Sequence, residues 1–421
     1  MKIKYFDNAA TTQVNEEVLK EMLPYFSIDY GNPSSLYSIG RRAKRALEES
    51  RKKISNIIGC KPNEVYFTSC GTESDNLAIK GIAYANKEKG NHIITSKIEH
   101  PAVLNTCKEL EKEGYNITYL DVDEEGFVNI EQLKNAINPK TILISIMFAN
   151  NEIGTIQPVE QIGKIAKENH IIFHTDAVQG MGNLKINVKQ LNIDSLSMSA
   201  HKFYAPKGVG ALYMNENVNF KQIQNGGHQE KNKRGGTENL AEIVGMSKAL
   251  ELIYNNFESH NSKITELRDY YIEQIQNNIK EAKLNGSKNQ RLPGNANISF
   301  KNVNAESLLF KLDEKGICAS AGSACSSASS SPSHVLVAIG LPPEWANGAL
   351  RVTIGEAKGQ NWWCVMFPPL CFVDVTSGIV PEESKDIIQN NLSSEEYVLI
   401  SNNEDLDVKF KFKLVEFFKS L

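Results

Sequence analysis

Short apolar runs alternate with amphipathic stretches along about the first 355 residues of the chain. The runs are three to five residues long, are rich in β-branched side chains and are separated by segments of helical length. Runs of this kind are typical of strands that are buried on both faces of a sheet. We therefore predict strands at residues 65–68, 93–95, 117–120, 142–146, 171–173, 195–199 and 210–214.

The segments between these runs carry apolar positions at helical spacing. In one of them Ile39, Ala43, Leu47, Ile54 and Ile58 fall on a single stripe of a helix. Alternation of strands with helices of this kind indicates a mostly parallel sheet that is covered on both faces. The pattern therefore predicts an α/β fold.

The pattern changes after residue 240. Residues 240–283 have the composition of one long polar helix, followed by a strand near 297–300, a helix near 305–315 and a short strand at 317–319. We interpret this part as a smaller α+β domain that the long helix joins to the first. The predicted division is a large domain over residues 16–257, a small domain over residues 1–15 and 258–355, and a separate tail over residues 356–421.

Composition and charge exclude several classes of protein. Hydrophobic residues make up 41% of the chain and charged residues 23%, as in soluble globular proteins. With 46 basic and 50 acidic side chains, the net charge of −4 gives no electrostatic reason to expect nucleic acid or a membrane surface as a partner. No signal peptide or membrane span is predicted. The seven cysteines include no Cys-x-x-Cys pair, so we expect a cytoplasmic protein with reduced thiols and no metal site.

Two charged side chains at predicted strand ends are candidates for chemistry. Lys202 follows the strand at 195–199, and Asp176 follows the strand at 171–173. Open α/β sheets bind ligands at the carboxyl ends of their strands, and a lysine there can form a Schiff base. The alternatives are a solvated surface lysine and an aspartate that caps the next helix.

Three further strand-end segments could complete a site. Gly71 and Thr72 begin a predicted helix whose free N–H groups could hold a phosphate, although a capping box would also explain Thr72. Asn151 could bind a ring hydroxyl or make a turn. His100 could stack on an aromatic ring and move protons, or be structural.

A loop rich in serine, alanine and glycine surrounds Cys325 at residues 320–333. Such a segment has little apolar surface to anchor it, so we predict that it is mobile. Reactive cysteines are exposed, whereas structural cysteines are buried. The setting favours a nucleophile, with a simple flexible linker as the alternative.

Together, a lysine, an aspartate, a phosphate cradle and side chains around a ring predict a site for pyridoxal 5'-phosphate. The sequence also resembles the cysteine desulfurases of the NifS/IscS type, which are class V members of the fold-type I pyridoxal phosphate enzymes. The resemblance covers about residues 1–355. It is carried by the stretches at 7–12, 31–35, 71–76, 150–154, 176–179, 199–202, 234–237 and 322–325.

This resemblance implies a role for each candidate residue. Lys202 would hold the cofactor and move the substrate's Cα proton, Asp176 would pair with the ring nitrogen, and His100 would stack on the ring. Asn151 and Gln179 would bind the ring hydroxyl. The residues expected around the phosphate are Gly71, Thr72, Ser199, His201 and, from the other subunit of a homodimer, Thr237.

The resemblance also implies a substrate and a reaction. Arg351, with Asn151, would bind the carboxylate of L-cysteine, and Cys325 would take its sulfur as a persulfide while alanine leaves. The sulfur would pass to an acceptor protein such as an iron–sulfur scaffold. The alternatives are a class V enzyme of the selenocysteine lyase kind, and an inactive enzyme body fused to a sporulation signalling tail.

The chain departs from the desulfurase pattern after residue 355. Its tail contains Trp362-Trp363-Cys364 and Pro368-Pro369-Leu370-Cys371. These motifs resemble the C-terminal part of stage II sporulation protein R. We therefore expect residues 356–421 to form a unit that is atypical of the desulfurases.

Overall fold

A computed structural model describes residues 3–322 and 332–355. Its helices are α1 (Glu16–Met22), α2 (Pro24–Ser27), α3 (Ser38–Ile58), α4 (Gly71–Ala85), α5 (Pro101–Lys112), α6 (Ile130–Ala136), α7 (Val159–Glu168), α8 (Gln229–Asn232), α9 (Leu240–Asn255), α10 (Phe257–Asn278), α11 (Ala305–Asp313), α12 (His334–Ala338) and α13 (Pro343–Ala346). Its strands are β1 (Lys4–Tyr5), β2 (Val65–Thr68), β3 (His92–Ser96), β4 (Asn116–Leu120), β5 (Thr141–Ser145), β6 (Ile172–Asp176), β7 (Ser195–Ser199), β8 (Gly210–Met214), β9 (Ala282–Leu284), β10 (Asn295–Phe300), β11 (Ile317–Cys318) and β12 (Ala349–Thr353). Within this part of the chain, no helix is both long and apolar enough to cross a bilayer.

Seven strands form the main sheet, in the order β2-β8-β7-β6-β5-β3-β4. The strands from β7 to β4 are mutually parallel. Strand β8 is antiparallel to both of its neighbours, so β2 runs in the same direction as β7. The strands predicted at 65–68, 195–199 and 210–214 have the predicted bounds, and the mostly parallel sheet is confirmed.

Helices cover both faces of this sheet. One apolar core combines the sheet with α3, α7 and α9, and the other combines it with α4 and α5. The predicted stripe of α3 lies in the first core, where Ala43, Leu47, Ile54 and Ile58 are buried. The pattern of the sequence thus predicted the α/β architecture correctly, because each helix buries one apolar face against the sheet.

The C-terminal part of the described chain builds a smaller set of strands. Strand β10 lies between β9 and β12 in an antiparallel sheet, and β1 pairs with β11 in parallel. The prediction of one helix over 240–283 is wrong, because α9 and α10 are separate helices that Asn256 divides. Asn256 has φ −124° and ψ 23°, which is outside helical geometry. Asparagine side chains compete for backbone hydrogen bonds and favour such breaks.

Candidate active site

The carboxyl ends of parallel strands bring the candidate residues to one edge of the main sheet. Asp176 is the last residue of β6, and Ser199 is the last residue of β7. Lys202 ends the 3₁₀ turn that follows β7. Helix α4 starts at Gly71, just after β2. Because β2 and β7 run in the same direction, all four residues lie at this edge.

A segment near the N-terminus joins three of the predicted side chains. The Lys202 amine donates hydrogen bonds of 2.7 Å to the carbonyl oxygens of both Ala9 and Ala10. The Gln179 amide nitrogen donates to the same Ala9 oxygen at 3.1 Å. His201 Nδ1 lies 3.1 Å from the Thr11 hydroxyl. Residues 9–11 thus hold Lys202, Gln179 and His201 around one point.

The start of α4 has the features of a phosphate site. A Cβ atom at Gly71 would lie 2.7 Å from Val178 Cγ2 and 3.4 Å from Ser199 Cβ, so only glycine fits between them. The first N–H groups of this fifteen-residue helix point along its axis, out of its N-terminal end, where they attract anions. Burial, followed by the charge of Lys202, lowers the pKa of His201 to about 4, so the neutral imidazole can donate one hydrogen bond there.

Thr72 and Thr237 are exposed near this helix start. Thr237 lies three residues after Arg234, whose Nε atom donates to Glu73 Oε1 at 2.8 Å. This ion pair places the 234–237 segment beside the first turn of α4. Within the described residues, no hydrogen bond joins Thr237 itself to Gly71 or Ser199.

Asp176 and His100 are titratable side chains of the site whose pKa values are shifted by burial. Asp176 is buried, and its Oδ1 atom accepts a hydrogen bond of 2.9 Å from the Val178 N–H group. Burial raises the pKa of Asp176, whereas His100, the Val178 N–H group and Lys202 act to lower it. Burial lowers the pKa of His100. Because His100 Nδ1 accepts from the Ala102 N–H group at 3.1 Å, the neutral ring carries its proton on Nε2.

Arg351 lies on β12 and is only 1% exposed. Its Nη2 atom donates to Asp7 Oδ1 at 2.8 Å, and its Nη1 atom donates to the Asn151 carbonyl oxygen at 3.1 Å. Its Nε atom is buried and has no hydrogen-bond partner in the described part of the chain. Such an orphaned donor can hold a carboxylate. The structure therefore brings Arg351 and Asn151 together.

The site contains groups that the sequence analysis did not single out. Asp7 binds Arg351 from 344 positions away in the chain. The carbonyls of Ala9 and Ala10 hold Lys202. The motif at residues 7–12 was the available signal, but no spacing rule connects it to residues so distant in sequence. Cys325, the predicted nucleophile, lies outside the described residues.

The residues present fit pyridoxal 5'-phosphate. The phosphate matches a glycine cradle at a helix start, and a protonated ring nitrogen matches the buried carboxyl of Asp176. A lysine amine lies at the same sheet edge, where it donates to the Ala9 carbonyl oxygen. Each of these protein groups therefore has a chemically matching group on the cofactor.

Comparisons with known proteins agree with this assignment. A family model for aminotransferase class-V matches residues 4–361. The cysteine desulfurase IscS of Clostridium botulinum is 56% identical over 359 residues, which cover 85% of this chain and 90% of that protein. The cysteine desulfurase IscS of Methanosarcina thermophila is 54% identical over 355 residues, covering 84% and 88%.

Solved structures give the same result. A NifS-like protein superposes with a TM-score of 0.80 and 36% identity, covering 86% of this chain and 95% of its own. The structure of SspA in complex with cysteine superposes with a TM-score of 0.75 and 40% identity, covering 83% and 98%. The predicted fold-type I architecture is therefore confirmed. With a matching family model over most of its length and relatives above half identity, the chain belongs to the class-V aminotransferase family and, within it, to the pyridoxal-phosphate-dependent cysteine desulfurases.

Proposed function

We propose that the protein converts L-cysteine to L-alanine and holds the released sulfur as a persulfide on Cys325. The observation that carries this proposal is the convergence of Lys202, Asp176, His100 and the α4 start at one sheet edge. The membership of the chain in the cysteine desulfurases supports the choice of substrate. When bound, pyridoxal phosphate supplies an electron sink for negative charge at the substrate's Cα atom.

Lys202 and Asp176 have complementary roles in this proposal. Lys202 removes the proton from Cα and later returns a proton to the product, since its amine is held at the centre of the site. Asp176 keeps a proton on the ring nitrogen, because a buried carboxylate is stabilised by a positive partner. His100 covers the ring and, being neutral, adds no competing charge.

Arg351 and Asn151 orient the substrate. The buried Nε atom of Arg351 offers a charged donor to the cysteine carboxylate. Asn151 lies against Arg351 through its carbonyl oxygen, which leaves its side-chain amide to contact the cofactor's hydroxyl or the substrate. The carboxylate is thereby fixed on the side of the site that faces β12.

The described residues on either side of Cys325 lie at the site. The Ser320 hydroxyl donates to Asp7 Oδ2 at 2.6 Å, and the Ser333 hydroxyl donates to Glu152 Oε2 at 2.5 Å. Asp7 and Glu152 are neighbours of Arg351 and Asn151. The positions of Ser320 and Ser333 support the proposal that Cys325 acts on a substrate bound by Arg351 and Asn151.

The sulfur transfer balances without another reactant. The Cys325 thiolate attacks the substrate sulfur, and an S–S bond forms as the substrate's C–S bond breaks. The electron pair of the broken bond stays with the substrate, which takes up protons and leaves as alanine. The enzyme thiol and cysteine thus become an enzyme persulfide and alanine.

We expect cysteine to add one sulfur atom to the wild-type protein when no thiol reductant is present. Intact-mass spectrometry and peptide mapping should place this atom on Cys325. Cys325→Ala should bind pyridoxal phosphate as the wild type does and gain no sulfur, whereas Cys318→Ala, which changes a cysteine on β11, should behave as the wild type. Sulfur found on Cys325→Ala at the wild-type level would contradict the assignment.

We further propose that the protein acts as a cytoplasmic homodimer that passes sulfur to an acceptor such as an iron–sulfur scaffold. The exposed position of Thr237 beside the start of α4 supports a role across a subunit interface. The similarity to relatives named cysteine desulfurase IscS supports a role in supplying sulfur. A reducing compartment suits an enzyme whose function requires a free thiol.

We also propose that residues 356–421 are an appended segment, similar to the end of stage II sporulation protein R. The two tail motifs support this, and the family match ends at residue 361. A chain that ends after Gly355 should release alanine at a rate within about threefold of the full chain. If the truncated chain did not bind the cofactor, the tail would instead be a required part of the enzyme.

A further inference from the structure

A buried polar cluster lies behind Asp176, on the side away from the open edge of the sheet. Its members are Asp75 on α4, His174 on β6 and Ser197 on β7. His174 precedes Asp176 by two positions, so both side chains are on one face of β6. Asp75 is 1% exposed, and His174 and Ser197 are fully buried.

Hydrogen bonds connect these groups in a chain. His174 Nε2 lies 3.0 Å from the Ser197 hydroxyl, and His174 Nδ1 lies 2.9 Å from the hydroxyl of Ser145. The Ser197 hydroxyl also lies near enough to Asp75 to act on its pKa, which it lowers. Asp75 Oδ1, however, is buried with no hydrogen-bond partner and lies 3.6 Å from His174 Nε2. The imidazole is thus already engaged by two serines.

The charges around Asp75 are unfavourable for a carboxylate. Among the residues that the structure describes, His174 is the one basic side chain within ion-pair distance. The other titratable groups that face Asp75 are Asp176, Glu99 and Cys70, all acidic. Burial, and then the charge of Asp176, raise the pKa of Asp75 well above its usual range. Burial lowers the pKa of His174 to about 3, so it stays neutral.

We propose that Asp75 is a positioning residue whose neutral, protonated carboxyl group orders Ser197 and His174 behind Asp176, leaving Asp176 as the carboxylate that pairs with the cofactor's ring nitrogen. The proposal rests on the proposed pyridoxal phosphate site. Its physical basis is that two ionised carboxylates whose charges act on each other in a buried space are unfavourable. If Asp75 were ionised, it would hinder ionisation of Asp176.

The first test uses the visible absorbance of the bound cofactor as a function of pH. Asp75→Asn replaces a neutral carboxyl with a neutral amide of similar shape, so the midpoint of the absorbance titration should stay within about 0.3 pH units of the wild type. A shift of about one unit or more would mean that a charge was removed, and it would overturn the proposal. Asp176→Asn is the control that should change the spectrum.

The positioning role has its own test. Asp75→Leu keeps the volume but removes every hydrogen-bonding group, so Ser197 loses a partner. The dissociation constant of the apoprotein for pyridoxal phosphate should rise about tenfold, whereas Asp75→Asn should stay within about threefold of the wild type. A leucine variant that binds the cofactor as tightly as the wild type would contradict the role.

The stability of the apoprotein provides a test without cofactor. A carboxyl with a raised pKa keeps a proton in the folded state that the unfolded chain releases above about pH 3.9. The contribution of the protonated Asp75 carboxyl to the free energy of unfolding of the wild type therefore decreases as the pH rises. Asp75→Asn has no such decrease, because its amide does not titrate. We expect the stability difference between Asp75→Asn and the wild type to shift in favour of the variant between pH 5 and 8.

A difference that is independent of pH would show that Asp75 ionises as it does in the unfolded chain, and would overturn the proposal. If Asp75→Asn does not fold, Asp75→Ser allows the same comparison. None of these measurements uses cysteine. Failure of the desulfurase reaction would therefore be distinguishable from failure of this inference.

Discussion

Replacing Lys202 with alanine should reduce the rate of alanine release from L-cysteine by about a thousandfold or more. The Lys202 amine is the basic group that residues 9–10 hold at the point where Asp176, His100 and the α4 start converge. Without it, the site loses the amine that takes up the Cα proton. The visible spectrum of the protein after addition of pyridoxal phosphate should also lose the features of a lysine-bound cofactor.

The matched control is Lys207→Ala, which removes an exposed lysine five positions later in the same segment. It should keep both the wild-type rate and the wild-type spectrum. The phosphate cradle does not depend on Lys202, so Lys202→Ala should still retain some cofactor through α4. A Lys202→Ala protein that releases alanine at the wild-type rate would remove Lys202 from the mechanism.

Arg351→Lys should lower kcat/KM for L-cysteine by about a hundredfold, mainly through a higher KM. Lysine keeps a positive charge near Asp7 but lacks the planar fork and the Nε donor that the structure leaves available. The cofactor spectrum should not change, because Arg351 contacts Asp7 and Asn151 rather than the α4 start. Steady-state kinetics of alanine formation measures both parameters.

Arg268→Lys is the control for replacing a buried arginine. Arg268 is also buried, and it bonds the Leu292 carbonyl oxygen at 2.9 Å and Asp269 at 2.7 Å. Its replacement should leave KM unchanged even where it lowers stability. Removing all charge with Arg351→Met would also leave Asp7 unpaired, so its effect would combine binding with stability. An unchanged KM in Arg351→Lys would contradict the role of Arg351 in holding the carboxylate.

The sequence predicted the sheet well because each strand's pattern is local. Residues 65–68 and 210–214 are short runs rich in apolar side chains, and their burial follows from those side chains. Strand-end positions then placed Asp176 and Lys202 at one edge, since parallel strands share their direction. The break at Asn256 was missed because helical composition on both sides concealed it.

Contacts between distant segments were beyond prediction from spacing. Asp7 and Arg351, or Asp75 and His174, meet only after the sheet has formed. Buried carboxyls such as Asp75 and Glu99 also look like surface residues in the sequence, because charge alone does not indicate burial. The division at residues 16–257 and 258–355, and the homodimer, stay predictions.

The most direct measurement of the central claim is the amount of alanine and of sulfide released from L-cysteine over time. Purified protein is supplied with pyridoxal phosphate and a thiol reductant, and Cys325→Ala is run beside it. We expect equal amounts of both products from the wild type, and neither above background from Cys325→Ala. Alanine without sulfide, or undiminished release of both from Cys325→Ala, would contradict a desulfurase that works through a persulfide on Cys325.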